Sequence, residues 1–129
     1  MVRFFLFLAA ILAGLAVAGG ALGAHALKAS LSGDQLGTFE TAVRYQLVHA
    51  LALGLVAWVC DRFGGRFATA AGWFFFVGIA LFSGSLYGLV FDGPRWLGPV
   101  TPLGGISLMI GWSCLAIVAW RRPRVAHRS

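Results

Sequence analysis

The residues able to do chemistry crowd into one ten-residue stretch, Glu40-Thr41-Ala42-Val43-Arg44-Tyr45-Gln46-Leu47-Val48-His49. Glu40 and Arg44 stand four residues apart with the acid first, so on a helix they lie one turn apart on one face. Tyr45 and His49 repeat that spacing on the neighbouring stripe. The stretch runs into Leu47–Val59, which is almost wholly apolar. Ionisable groups that enter a membrane helix are costly and turn toward protein or a water-filled cavity. His49 comes 11 residues before Cys60, roughly 16 Å along a helix axis, which places it near mid-bilayer. There it is expected to be neutral and to need a partner for at least one ring nitrogen.

Two readings of the stretch stand side by side. In the structural one, Glu40 and Arg44 form an interfacial ion pair, and His49 is bonded to Tyr45, Ser83, Ser85 or a backbone carbonyl. In the functional one, His25, Glu40, Arg44, Tyr45, Gln46, His49, Ser83 and Tyr87 border a polar pocket for a proton, a lipid head or a quinone-like ligand. Haem ligation by His25 and His49 is disfavoured by depth, His25 lying near the surface and His49 near the middle. Glu40 and His25 lack a third ligand for a metal. Ser83 and Tyr87 share a face of a later segment, with Gly84 and Gly88 as a small-residue contact motif. Thr101-Pro102-Leu103-Gly104-Gly105 reads as a helix start, with Thr101 as N-cap and Pro102 in the first turn. It is no phosphate loop, since the lysine and preceding strand are missing. Cys60 and Cys114, with no CxxC and no nearby His, read as free thiols rather than a disulfide or metal site.

The elements that carry these residues follow from hydrophobic runs. Of 129 residues, 60% are hydrophobic and only 11% charged. A soluble domain is nearer half apolar and a quarter charged, so lipid is the expected solvent. Runs at 4–24, 35–60, 67–91 and 103–120 are each long enough to cross a bilayer as a helix. The expected fold class is all-α, a single four-transmembrane-helix bundle. The second run has no proline, so one long helix is the simplest reading, with a bend as the alternative. Ser32 or Asp34 can cap it. Ala10-Gly14-Ala18 and Gly19-Gly23 supply small-residue faces on the first run. Arg3, the apolar stretch and Ala24-His25-Ala26 also mimic a cleavable signal peptide, though the run is long for one.

Basic residues then set orientation. Arg3, Arg62, Arg66, Arg121, Arg122, Arg124 and Arg128 fall on one side, and Lys28 and Arg95 on the other. The heavily basic side is expected to be cytoplasmic, so both termini point inward. The net charge of +6 is thus a topology signal and excludes a nucleic-acid partner. Membrane lipids, a homo-oligomer or a larger membrane complex are the expected partners, with no cofactor.

The chain resembles the YgdD/YwdK-like family of small bacterial membrane proteins of unknown function, which has eukaryotic mitochondrial relatives. The resemblance rests on Gly20-Ala21-Leu22-Gly23-Ala24-His25-Ala26-Leu27, on Phe39 to Ala52, on Phe82-Ser83-Gly84-Ser85-Leu86-Tyr87, and on Thr101 to Gly105 with Gly111-Trp112. It implies a retained first segment, an inner-membrane four-helix architecture, and family-pattern status for the eight pocket candidates. It implies no activity. The expected function is a non-enzymatic accessory or scaffold protein. The alternative is a small transporter, channel or lipid- or quinone-binding protein using a polar cavity in the outer half of the bundle.

Overall fold

No proline precedes Pro94, and the chain up to that point is almost entirely helix. The computed structural model describes residues 1–121, so the basic residues Arg122, Arg124 and Arg128 lie outside the described residues. Helix α1 spans Val2–Ala24, α2 Gly33–Phe63, α3 Arg66–Val90 and α4 Leu97–Trp120, with a short 3-10 turn at Leu27–Ala29. All four α-helices are long and apolar enough to cross a membrane. Helix α2, at 31 residues, would run about 46 Å, well beyond the ~30 Å hydrocarbon core. It is continuous rather than broken into two helices.

Local chemistry explains the ends. Ser32 caps α2 by accepting from the Gln35 backbone N–H at 3.2 Å, while Gln35 Oε1 accepts from the Ser32 N–H at 3.1 Å. This reciprocal box satisfies two of the four orphan amides of the first turn. Gln35 Nε2 also donates to the Val90 carbonyl at 3.1 Å, closing the end of α3 against the start of α2. Ser32→Ala should cost about 1 kcal/mol. It should appear as faster amide exchange confined to the first turn of α2, with α4 unaffected.

The α3–α4 connection is shorter than the sequence implies. Thr101 and Pro102 do not start α4, which begins at Leu97 and carries Pro102 inside it. Pro99 sits in the first turn, where its missing N–H has no helical partner to lose. Pro102 does forgo one rung, to Gly98. Thr101 is therefore a mid-helix residue whose hydroxyl bonds Ser85 at 2.6 Å. The α3 C-terminus closes with Asp92 in the left-handed region (φ 58°) and the Gly93 N–H on the Gly88 carbonyl at 2.8 Å.

Each helix packs on the next in sequence. Phe5, Leu53, Val56 and Phe75 are fully buried and centre a core that also takes in Ala9, Ile79 and Leu108. Lipid tails are as apolar as these side chains, so close packing rather than water exclusion holds the helices together. Glycine makes the packing close. A Cβ on Gly23 would meet Phe39 at 3.1 Å and one on Gly19 would meet Val43 at 3.2 Å, whereas Gly14 has open space around it. The Gly19-Gly23 face is thus the α1–α2 contact, and the Ala10-Gly14-Ala18 stripe faces outward. On α3, Gly84 likewise faces open space, and Gly88 meets Leu97 rather than the body of a neighbouring helix.

Candidate functional site

Helix α2 is the hub, and its polar residues point in two directions. Toward α1 and α3, Gln46 is buried at 6% exposure. Its Nε2 donates to the Leu12 carbonyl at 2.8 Å, and its Oε1 accepts from the Tyr87 hydroxyl at 2.8 Å. One amide thereby joins three helices. One turn earlier, Ser83 donates to the Ala42 carbonyl at 2.8 Å, and the Phe39 ring packs on Tyr87 with centroids 5.5 Å apart. The Gly19 and Gly23 contacts let α1 come close enough for the Leu12 bond. On the α3–α4 side, Ser85 pairs with Thr101, and Ser107 donates to the Phe74 carbonyl at 2.8 Å.

Toward α4, His49 is buried and both of its ring nitrogens are engaged. Nδ1 lies 2.8 Å from the Tyr45 carbonyl, and Nε2 accepts from the Trp112 indole N–H at 3.1 Å. An indole nitrogen can only donate, so His49 Nε2 must be bare and the proton must sit on Nδ1. The imidazole is locked as its neutral Nδ1–H tautomer, stacked on Tyr45 and edged by Trp112. Nitrogen-15 NMR of imidazole-labelled protein in bilayers should report a protonated Nδ1 and an unprotonated Nε2. The reverse assignment would break the Trp112 bond.

Sequence spacing anticipated a carbonyl partner for His49, and the Tyr45 carbonyl fills that place. Trp112 was missed, because it lies 63 residues downstream and nothing in local spacing marks it. The Ser83 and Ser85 hydroxyls go elsewhere. Glu40 and Arg44 do not form the ion pair that their spacing permits. Neither has a hydrogen-bond, ion-pair or ring partner among the described residues. His25 is exposed beyond the end of α1.

The eight candidates therefore separate. Gln46, Ser83 and Tyr87 are spent on bonds between helices. Arg44, Tyr45 and His49 border a groove of about 440 Å³ between α2 and α4, completed by Val48, Gly105, Leu108, Met109 and Trp112. Glu40 lies with Arg44 around a smaller notch of about 230 Å³ between α1 and α2. Past Trp112 the α2–α4 groove continues as a second cavity of about 480 Å³, lined by Leu55, Trp58, Val59, Leu115, Val118 and Ala119. Chemically, the inner network can hold helices in register, and the groove can hold an elongated apolar group with a cation at one end.

The profile of a family described as a protein of unknown function (DUF423) matches residues 19–105. The chain is 43% identical over 118 residues to the UPF0382 membrane protein YwdK of Bacillus subtilis, covering 91% of this chain and 96% of the relative. It is 41% identical over 119 residues to the UPF0382 membrane protein SAB0533 of Staphylococcus aureus, covering 92% and 97%. With the UPF0382 inner membrane protein YgdD of Escherichia coli it shares 39% over 128 residues, 97% of each chain. No solved structure matches.

Proposed function

The chain belongs to the DUF423 family of UPF0382 membrane proteins, and on that footing we propose that it is a non-enzymatic accessory or scaffold protein of the bacterial inner membrane. One observation carries the reading. The buried polar side chains Gln46, His49, Ser83, Ser85 and Ser107 are each bonded to another protein group, in most cases on a neighbouring helix. Groups held this way fix helix register and are themselves not poised for proton transfer or nucleophilic attack. The transporter or channel alternative has weaker support, because Gln46, Ser83 and Tyr87 point away from the groove that Arg44, Tyr45 and His49 border. The ligand-binding alternative keeps that groove in its favour.

The bias of Arg and Lys described above supports a cytoplasmic location for both termini. A reporter active only in the cytoplasm, fused after Ser129, should give signal, and a dark fusion would reverse the orientation. The scaffold reading is tested by photo-crosslinking in intact cells from exposed positions, one per helix: Leu15, Leu51, Val77 and Ile106. One helix face should yield a discrete adduct with a larger membrane protein. Adducts with lipid alone from all four positions would overturn it.

A further inference from the structure

Between Glu40 and Trp58 the exposed residues of α2, Tyr45 apart, form one stripe: Glu40, Arg44, Val48, Leu51, Leu55 and Trp58. Spacings of four, four, three, four and three keep them on one face. The stripe is polar at one end and apolar for the rest, which is the polarity pattern of a phospholipid. Helix α4 supplies a side wall, with Met109, Trp112 and Leu115 bordering the two cavities that meet at Trp112.

Dimensions agree. From Arg44 to Leu55 is 11 residues, or about 16 Å of helix rise, close to half of the ~30 Å hydrocarbon thickness and so to one leaflet. A chain lying along the groove from Arg44 would pass Val48 and Met109 and end near Leu55 and Leu115.

The head end carries two opposite charges in order. Arg44 borders both the α2–α4 groove and the α1–α2 notch, and Glu40 borders the notch one turn farther from the apolar stripe. That turn is about 6 Å of rise. Neither charge has a protein partner among the described residues, and the hydroxyl of Tyr45, which lines the same groove as Arg44, also makes no hydrogen bond there. A guanidinium with a phenol nearby suits a phosphodiester. A carboxylate one turn farther out suits an ammonium that projects beyond that phosphate.

Resting on the ligand-binding reading and naming its ligand, we infer that the α2–α4 groove holds one phospholipid with an amine-bearing zwitterionic head. The phosphate sits on Arg44 and Tyr45, the ammonium on Glu40, and one acyl chain lies between Val48 and Met109. A net-anionic glycerol head offers the same phosphate to Arg44 but leaves Glu40 facing a neutral diol.

The test is native mass spectrometry of delipidated protein exposed to equimolar phosphatidylethanolamine and phosphatidylglycerol with identical acyl chains. The wild type should retain one lipid, with ethanolamine preferred about threefold, the size expected of one exposed ion pair. Glu40→Gln should erase the preference while leaving total retention near wild type. Arg44→Gln should lower retention of both lipids. Both side chains are exposed and unpaired, and unchanged helicity by circular dichroism would verify the fold of each variant. Retention without head preference, or a preference unmoved by Glu40→Gln, would overturn the head assignment and leave a ligand-binding groove standing. A wild type that retains no lipid, or a lipid-free dimer, would overturn both.

Discussion

Gly104→Ala should destabilise the bundle by about 3 kcal/mol, at the upper end of the usual range for overpacking. A Cβ there would run into the backbone nitrogen of Phe82, with Phe82 Cα at 2.7 Å and Cβ at 2.8 Å. Backbone cannot rotate aside as a side chain can, so α3 and α4 must move apart. That separation would disturb other contacts of the same seam: Ser85 on Thr101, Ser107 on the Phe74 carbonyl, and the close approach of Gly111 to the Phe75 ring, which leaves no room for a Cβ. The neighbouring Gly105→Ala is the control, since its nearest contact is Phe82 Cδ2 at 3.8 Å, an ordinary van der Waals distance. Reversible unfolding in bicelles should show a large loss for Gly104→Ala and nearly none for Gly105→Ala. Equal effects would mean that α3 and α4 do not meet there.

Gln46→Leu should be the next most damaging, at about 2 kcal/mol. It removes two hydrogen bonds of 2.8 Å and strands the half-buried Tyr87 hydroxyl. A net bond is worth about 1 kcal/mol, and an unsatisfied buried partner adds roughly 1–3. Membrane bundles sit toward the low end, with an average near ~0.6 kcal/mol for an interhelical bond. The diagnostic is non-additivity. Tyr87→Phe alone removes one bond, and Tyr87→Phe combined with Gln46→Leu leaves no stranded hydroxyl. The double variant should therefore cost less than the sum of the singles, with a coupling of about 1 kcal/mol. Additive effects would mean that the two side chains act independently.

Much of the fold is legible in the hydrophobic runs alone. Four helices appear where four apolar runs were read, and the 31-residue α2 follows from a proline-free stretch entered through Ser32. The start of α4 was obscured because Gly-Pro pairs signal turns locally. Pro99 is tolerated in a first turn, and Pro102 is tolerated because neighbouring helices in a membrane bundle compensate for a missing rung. Small-residue patterns were ambiguous for a different reason. Gly14, Gly19, Gly23, Gly84 and Gly104 all look alike in sequence, and only the partner helix decides which are crowded. Crowding falls on Gly19, Gly23 and Gly104, and not on Gly14 or Gly84.

The site was half legible. Spacing singled out Gln46, His49, Ser83 and Tyr87, because polar groups inside apolar runs must have partners. It could not say which partners. Those of Gln46 are the Leu12 carbonyl and Tyr87, 34 and 41 residues away, and that of His49 Nε2 is on α4. The Glu40–Arg44 spacing permits a pair that the side chains do not make, since an exposed i, i+4 pair is worth only a few tenths of a kcal/mol. A lipid head competing for both charges needs little to win.

The accessory role is tested most directly by native mass spectrometry of the chain released from its own membranes without prior purification. The chain should emerge bound to a larger membrane protein at fixed stoichiometry. A chain that emerges free of any protein partner, alone or only with copies of itself, would contradict it.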